Sequence, residues 1–287
     1  MRVRGCGGAA LRGCASARVR SRALRCVAGL LVTACSVSQD QEVDLGRRNA
    51  EQVDAQMPLV RDQIASDYVQ ALGVSLARTT ARSDLEWRFR IVDSRSVNAF
   101  ALPGGFIYVN RGLIERAEGL DELAGALAHE VSHVVLRHSV RQIEKQSNTG
   151  VAVELGCRLT DLCNSDVART AIQVGGAALF ARYSRHDEAE ADSQAVQLVV
   201  DAGIDPNGIP VLFRRLLEER RRSPAKIEVF FASHPLEEDR IVATEREIAA
   251  LGPSLPRDLR RDDPSYRAFK AHLAALPRAP EPELLAP

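Results

Sequence analysis

Residues 121–138 have the sequence DELAGALAHEVSHVVLRH, which predicts an amphipathic helix, the motif helix. Its apolar residues recur at helical spacing along one side: Leu123, Leu127, Val131, Val134 and Val135. His129 and His133 are four residues apart, so they share one helix face, with Glu130 between them in sequence. Two imidazoles at this spacing can bind one metal ion while the glutamate reaches a bound water. The competing interpretation is an ordinary surface helix that carries two histidines.

A catalytic zinc site usually has three protein ligands and keeps a further position for water. One class of zinc peptidase extends the motif with a glycine and a histidine, where this chain has Leu136 and Ser139. A helix expected over residues 183–202 offers a carboxylate instead, because Glu188 and Asp192 lie on one of its faces. We predict that Glu188 is the third ligand and that Asp192 accepts the second N–H of a ligand histidine. The alternative for this segment is a helix that is merely charged.

The residues before the motif helix predict a small sheet. Residues 85–92 alternate between apolar and polar side chains, as in a half-buried strand. Two short extended runs, 97–102 and 106–110, flank Pro103-Gly104-Gly105, which predicts a hairpin. More helices are expected over 57–78, 206–222 and 235–251. The expected fold class is α+β, mostly α-helical with a small β-sheet before the motif helix.

Residues 1–35 have the features of a targeting segment. Several arginines precede an apolar run over 26–34, which is too short to span a bilayer and fits a secretory signal. Its end, Leu31-Val32-Thr33-Ala34-Cys35, resembles a bacterial lipobox and predicts lipidation of Cys35; a plain cleaved signal peptide is the alternative. Ser36 favours the outer membrane, by resemblance to lipoprotein sorting rules. We therefore expect a periplasmic protein anchored to the outer membrane by lipid, not a transmembrane one.

Composition narrows the possible partners. The chain has 287 residues, of which 45% are hydrophobic, enough for one or two domains. Its 38 basic and 38 acidic residues balance, so the net charge gives no reason to expect nucleic-acid binding.

After Cys35 the sequence contains only two cysteines, Cys157 and Cys163. They form an even pair that predicts a disulfide in an oxidising compartment.

Several motifs together resemble the zinc metallopeptidases related to CAAX prenyl proteases and HtpX, peptidase family M forty-eight. They are HEVSH at 129–133, EAEAD at 188–192, SHP at 233–235 and NAFALPGG at 98–105. The resemblance covers about residues 40–251 and points to the envelope lipoprotein branch of the family. It implies a gluzincin-type fold and one Zn²⁺ per chain, held by His129, His133 and Glu188. It also implies that Glu130 is the general base.

The resemblance gives expected roles to further residues. His234 would either donate a hydrogen bond to the oxyanion or cap the zinc in a closed, inhibited state. Arg240 would help to orient the same site. Asn98, Ala99 and Phe100 would form part of an edge strand that binds the substrate backbone by strand addition. A plain hairpin strand is the alternative for these three residues.

The sequence thus predicts a zinc-dependent metalloendopeptidase of the bacterial cell envelope, which removes misfolded or unassembled envelope polypeptides. A chaperone-like binding module with gated or slight proteolysis is the alternative. An aminopeptidase would need an anchor for the substrate amine before the motif, and no such glutamate cluster is found. The expected divisions are a signal peptide with lipobox (1–35), a polar tether (36–56), the metallopeptidase domain (57–251) and a Pro-rich tail with a short helix (252–287). His138 is expected off the ligand face, behind the ligands or exposed.

Overall fold

The computed structural model describes residues 37–145, 183–224, 227–235 and 238–278. The predicted signal peptide, Cys35 and the cysteine pair lie outside these residues. The described helices and strands are α1 (Gln39–Gln56), α2 (Gln63–Ala77), β1 (Arg88–Val92), β2 (Ala99–Leu102), β3 (Phe106–Asn110), α3 (Arg111–Arg116), α4 (Leu120–Val135), α5 (Arg185–Asp201), α6 (Gly208–Arg222), α7 (Glu228–Ser233), α8 (Glu238–Leu251) and α9 (Pro264–Ala275). The predicted α+β class, mostly helical with a small sheet, is confirmed. None of the described helices combines the length and the apolar character that crossing a membrane requires.

The three strands form a mixed sheet in the order β1-β3-β2. β1 runs parallel to β3, and β2 runs antiparallel to it as the second arm of the expected hairpin. The hairpin turn contains Gly104 and Gly105 at φ 79° and 102°, a region that residues with a Cβ rarely adopt. The Pro-Gly-Gly sequence therefore closes the hairpin as predicted.

The two faces of the sheet pack on different helices, because successive side chains of a strand point to opposite sides. One face joins the main core with α2, α4 and α5 through Phe89, Ile91, Ala99, Ala101, Ile107 and Val109. The other face forms a second cluster with Ala50 and Val53 of α1, through Val92, Phe100, Leu102, Phe106 and Tyr108. The motif helix α4 therefore lies against the face that carries Ala99 and Ala101 of β2.

The motif helix is buried along almost its whole length, between the sheet, α2, α5 and α6. It ends at Val135, three residues before the predicted end. Arg137 follows with φ 57°, a left-handed conformation that is uncommon for any residue with a side chain. Residues 138–145 are helical again. The turn at Arg137 thus separates the motif helix from the following one, whose first residue, His138, contacts His133.

Residues 36–56 are not the predicted tether, because most of them form α1. Ser38 begins this helix with a capping box, in which its Oγ accepts from the Gln41 N–H while the Gln41 side chain accepts from the Ser38 N–H. Ala50 and Val53 are buried against the sheet. The sequence did not predict this helix because the segment is polar and its buried face includes a charged residue, Glu42. Glu42 is fully buried and paired with two arginines.

The domain also extends past residue 251 into the predicted tail. The short helix expected there is α9, which Asp263 caps and Pro264 begins. Its Tyr266, Phe269 and Leu273 are buried in the main core. The Phe269 ring stacks on Tyr68 of α2 at a centroid distance of 4.3 Å. The tail helix is therefore part of the folded core.

Candidate metal centre

The candidate metal centre lies where α4 packs on α5. α4 contributes His129, Glu130 and His133, and α5 contributes Glu188 from its first turn. A capping box fixes the start of α5: Ser184 Oγ accepts from the Asp187 N–H, and Asp187 accepts from the Ser184 N–H. The three predicted ligand side chains are at most 4% exposed, so the centre is enclosed.

The ligand-type atoms of this centre are close to one another. His129 Nε2 lies 3.0 Å from His133 Nε2 and 3.5 Å from Glu188 Oε2. His133 Nε2 lies 3.5 Å from Glu188 Oε1. Ligands of a tetrahedral zinc with bonds of 2.0–2.1 Å are separated by about 3.3 Å. The observed spacing is close to that value for all three pairs.

His234 joins the same cluster from the end of α7. Its Nδ1 lies 3.3 Å from His129 Nε2 and 3.1 Å from Glu188 Oε1. Its Nε2 lies 3.4 Å from Glu130 Oε1. The side chain is 1% exposed, so the histidine before Pro235 is not the exposed loop residue that its sequence context would also allow. Four ligand-type side chains, His129, His133, Glu188 and His234, thus converge within 4.8 Å.

Asp192 and Arg240 lie directly behind the ligands. Asp192 Oδ1 is 2.9 Å from His129 Nδ1, the nitrogen that faces away from the centre. Arg240 donates from Nε and Nη2 to the two oxygens of Asp192, at 2.7 Å each. Its Nη1 donates to the Pro235 carbonyl and lies 2.5 Å from Glu188 Oε2. One guanidinium therefore contacts both carboxylates and the segment that carries His234.

The donor set fits zinc. Two imidazole nitrogens and one carboxylate oxygen are ordinary zinc ligands, with room in a tetrahedral site for one more. Glu130 Oε2 is buried and has no hydrogen-bond partner among the described residues. A buried carboxylate oxygen without a partner is costly unless a water or a substrate group completes it. Glu130 thus has a carboxylate oxygen beside the centre that a water or a substrate group could complete.

Burial and neighbouring charges shift the ionisation of the centre. Burial raises the pKa of Glu130 and lowers the pKa of His133 well below its ordinary value. Burial also acts to raise the pKa of Glu188, but His234, His129 and His133 outweigh it and hold that pKa well below the usual range. These two shifts favour an anionic Glu188 and a neutral His133, which are the forms that bind a metal. Burial acts to lower the pKa of His129, but Asp192 and Glu188 outweigh it and raise that pKa to about 10.

Two neighbours contact His133: Tyr183, which sequence reasoning missed, and His138, for which it left a place behind the ligands open without naming its partner. The Tyr183 ring stacks on the His133 ring at a centroid distance of 3.8 Å, and its hydroxyl is 2.8 Å from Ser139 Oγ. His138 is fully buried, with Nδ1 2.8 Å from His133 Nδ1. The only signal for either residue was its position, just before the Glu188 helix for Tyr183 and just after the motif for His138.

The predicted substrate-binding strand β2 lies at one edge of the sheet. Asn110 N–H donates to Asn98 O, so the backbone groups of Phe100 point toward β3 and those of Ala99 and Ala101 point away from it. Within the described residues, the outward groups of these two alanines make no hydrogen bond. Both alanines are at most 5% exposed, and Asn98 Oδ1 is buried without a described partner.

The opposite edge of the sheet is closed. Gln70 of α2 binds β1 through its side-chain amide, accepting from the Phe89 N–H at 2.8 Å and donating to Trp87 O at 2.9 Å. Further along β1, Val60 and Pro58 exchange backbone hydrogen bonds with Ile91 and Asp93. Among the described strands, the edge with unbonded backbone groups is therefore the one next to the motif helix.

Comparison with known proteins gives consistent matches. A family model described as Peptidase family M48 matches residues 63–248. The Beta-barrel assembly-enhancing protease of Escherichia coli K12 is 27% identical over 228 residues, which are 76% of this chain and 46% of that protein. Its counterpart of the same name in Yersinia pestis is 29% identical over 213 residues, 72% of this chain and 43% of that protein. The Mitochondrial metalloendopeptidase OMA1 of Schizosaccharomyces pombe is 31% identical over 174 residues, 61% of this chain and 50% of that protein.

The chain spans about half the length of these relatives. The family match covers more than half of the chain and includes every residue of the candidate metal centre. The chain therefore belongs to peptidase family M48.

Proposed function

We propose that the chain is a zinc-dependent metalloendopeptidase. The observation that carries the proposal is the buried convergence of His129, His133 and Glu188 beside Glu130, whose Oε2 lacks a described partner. His129, His133 and Glu188 would hold the zinc. When bound, zinc supplies Lewis-acid polarisation of a carbonyl and lowers the pKa of water. The family membership and relatives named as proteases support the same activity.

In this proposal Glu130 is the general base. Its carboxylate takes a proton from the attacking water and later delivers it to the leaving amine. Burial raises the pKa of Glu130, which brings the proton affinity of the carboxylate closer to that needed for both steps. Asp192 would hold His129 with Nε2 toward the centre, because its Oδ1 lies 2.9 Å from the opposite nitrogen, close enough to accept its proton.

His234 has two possible roles in this centre. Its Nε2 is 3.4 Å from Glu130 Oε1, near the reacting groups, where an N–H could donate to an oxyanion. Its Nδ1 lies 3.3 Å from His129 Nε2 and 3.1 Å from Glu188 Oε1, at the spacing of a fourth ligand. The second arrangement would cap the metal and inhibit the enzyme. The geometry described here resembles the capped arrangement more closely.

The substrate would bind as an added strand along β2. Ala99 and Ala101 turn their backbone N–H and C=O groups to the edge that forms no hydrogen bonds within the described residues, and β2 packs on the motif helix. A polypeptide bound there would lie along the strand that packs on the motif helix, which carries Glu130. Such binding reads an extended backbone more than a side-chain sequence, which suits unfolded substrates. We propose that these substrates are misfolded or unassembled envelope proteins, in view of the lipobox-like leader and of relatives named for β-barrel assembly.

A second candidate function is a chaperone-like binding module with gated or slight proteolysis. The observation that favours it is burial: Glu130 is 1% exposed and Ala99 is 1% exposed, so both the centre and the strand edge are covered. A closed centre of this kind would cleave only after opening. The two functions differ in the basal rate of proteolysis rather than in the residues that perform it.

Degradation of casein by wild type and by Glu130→Gln tests the proposal. Loss of the general base should lower the rate at least about 100-fold. Glu51→Gln, at an exposed position on α1, is the matched control and should keep full activity. A peptide blocked at its N-terminus should still be cut if cleavage is internal. Equal casein degradation by wild type and Glu130→Gln would rule the proposal out.

A further inference from the structure

We propose that His138 is a positioning residue for the ligand His133, as the middle member of a hydrogen-bond chain from His133 through His138 to Glu190. This inference rests on the proposed function, because it concerns a residue that would hold the zinc. It assigns a role to a histidine that the motif does not include.

The chain is continuous in the structure. His133 Nδ1, the nitrogen that faces away from the centre, lies 2.8 Å from His138 Nδ1. The other nitrogen of His138, Nε2, lies 3.3 Å from Glu190 Oε2. The His138 side chain is 0% exposed, so its two polar atoms depend on these neighbours rather than on bulk solvent. The left-handed turn at Arg137 places the ring there.

The positions of the protons follow from the geometry. His133 Nε2 faces His129 and Glu188, so it must be unprotonated to bind a metal. The proton of a neutral His133 is then on Nδ1, where it is donated to an unprotonated Nδ1 of His138. His138 therefore carries its own proton on Nε2 and donates it to Glu190. Each link has one donor and one acceptor, and this arrangement fixes the tautomers of both rings.

The two ligand histidines are thus supported by different chemistry. Behind His129 stands a carboxylate, Asp192, at 2.9 Å. Behind His133 stands an imidazole, and the carboxylate of Glu190 is one residue further away. Tyr183 stacks on the face of the His133 ring but does not bond its nitrogens. The hydrogen bond to His138 is therefore what directs the His133 nitrogens within the plane of the ring.

A second metal site at His138 would be the competing use of these residues, since His138, Asp187 and Glu190 also converge. The Arg141 guanidinium, however, lies 2.9 Å from Glu190 Oε2 and 3.7 Å from Asp187 Oδ1. It already pairs with both carboxylates that would have to attract a cation, and so weakens that attraction. The hydrogen-bond chain accounts for the same contacts without a second ion.

Two substitutions of similar size test the two ring nitrogens of His138 one at a time. In His138→Asn the side-chain oxygen takes the place of Nδ1 and still accepts from His133. In His138→Gln the amide reaches toward Glu190 and leaves no acceptor facing His133. We expect zinc affinity, measured by competition with a chelator, to fall about 10- to 100-fold in His138→Gln and to stay near wild type in His138→Asn. Thermal unfolding of the zinc-free forms checks that both variants fold.

The outcomes distinguish this inference from the proposed function. Equal zinc affinity in His138→Gln and wild type would overturn this inference but not the proposed function. A second zinc in wild type that His138→Gln loses would also overturn it, because His138 would then be a ligand. Failure of wild type to bind zinc would overturn the proposed function as well. In ¹⁵N NMR of zinc-loaded Glu130→Gln, protons on His133 Nδ1 and His138 Nε2 would support the chain; any other placement would contradict it.

Discussion

Arg240 is a single buried cation that contacts two carboxylates of the metal centre. It forms a bidentate pair with Asp192 and approaches Glu188 Oε2 to 2.5 Å. Burial acts to lower the pKa of Arg240, but Asp192 and Glu188 raise it, so the guanidinium stays charged. Without it, the two carboxylates would lie close together in an enclosed site and lose the guanidinium that pairs with both of them.

We therefore expect Arg240→Met to destabilise the metal-free protein by about 3–5 kcal/mol, because it removes the guanidinium that pairs with two buried carboxylates. Urea unfolding at neutral pH measures this difference. Arg246→Met, at an exposed position of the same helix, should change the stability by less than about 0.5 kcal/mol. Adding Asp192→Asn to Arg240→Met should recover much of the loss. A cost below about 1 kcal/mol for Arg240→Met would contradict this account.

The parts of the centre that could be predicted from the sequence are those with helical spacing. His129 and His133, and likewise Glu188 and Asp192, are four residues apart, so one period places each pair on a face. His234 and Arg240 needed a family resemblance, because no local period relates them to the motif helix. The contact of His138 with His133 follows the left-handed conformation of Arg137, which no local sequence pattern predicts.

At the scale of elements, the two edges of the sheet differ in whether their backbone groups form hydrogen bonds. Gln70 and residues 58–60 form hydrogen bonds with the backbone of β1, whereas Ala99 and Ala101 of β2 present unbonded groups within the described part of the chain.

The strand β3 has the predicted bounds, 106–110. The predicted helix over 57–78 begins only at Gln63, because Asp62 caps it and the preceding residues pair with β1. Such pairing is a tertiary contact, so a helical period alone could not exclude it.

The β2 edge gives a prediction about substrate binding. Ala101→Pro removes an N–H that points away from β3, so the fold should persist while an added strand loses one hydrogen bond. We expect kcat/KM on an unfolded protein substrate to fall about two- to tenfold, the equivalent of 0.5–1.5 kcal/mol. Phe100→Pro is the control, because its N–H faces β3 and its loss should lower the melting temperature. Unchanged kcat/KM in folded Ala101→Pro would argue against strand addition at this edge.

At the scale of the whole molecule, α1 is joined to the motif helix by a buried charge network. Glu42 accepts from Arg82 Nη1 at 2.7 Å and from Arg137 Nε at 2.8 Å. Arg82 also donates to Val134 O near the end of the motif helix, at 2.9 Å. Gly46 allows the close approach of α1, since a Cβ there would lie 1.7 Å from Pro103 O. The residues predicted to be a tether thus brace the helix that carries the ligands.

Substitution of Glu42 should therefore lower the stability of the whole fold. Glu42→Leu leaves Arg82 buried without its carboxylate partner, and we expect a loss of about 3–5 kcal/mol in the free energy of unfolding. Glu42→Gln keeps hydrogen-bond acceptors and should lose less. Glu51→Gln, on the same helix but exposed, should stay within about 0.5 kcal/mol of wild type. If Glu42→Leu proved as stable as Glu51→Gln in urea unfolding, α1 would not be the brace described here.

The most direct test of the account is the zinc content of purified Glu188→Gln beside wild type and Glu51→Gln, after dialysis against a weak chelator. His129, His133 and Glu188 are taken to hold one zinc, so wild type and Glu51→Gln should each retain one zinc per chain. Glu188→Gln should lose most of it, because a neutral amide is a much poorer ligand than a carboxylate. One zinc per chain retained by Glu188→Gln, at wild-type affinity, would contradict the assigned metal centre.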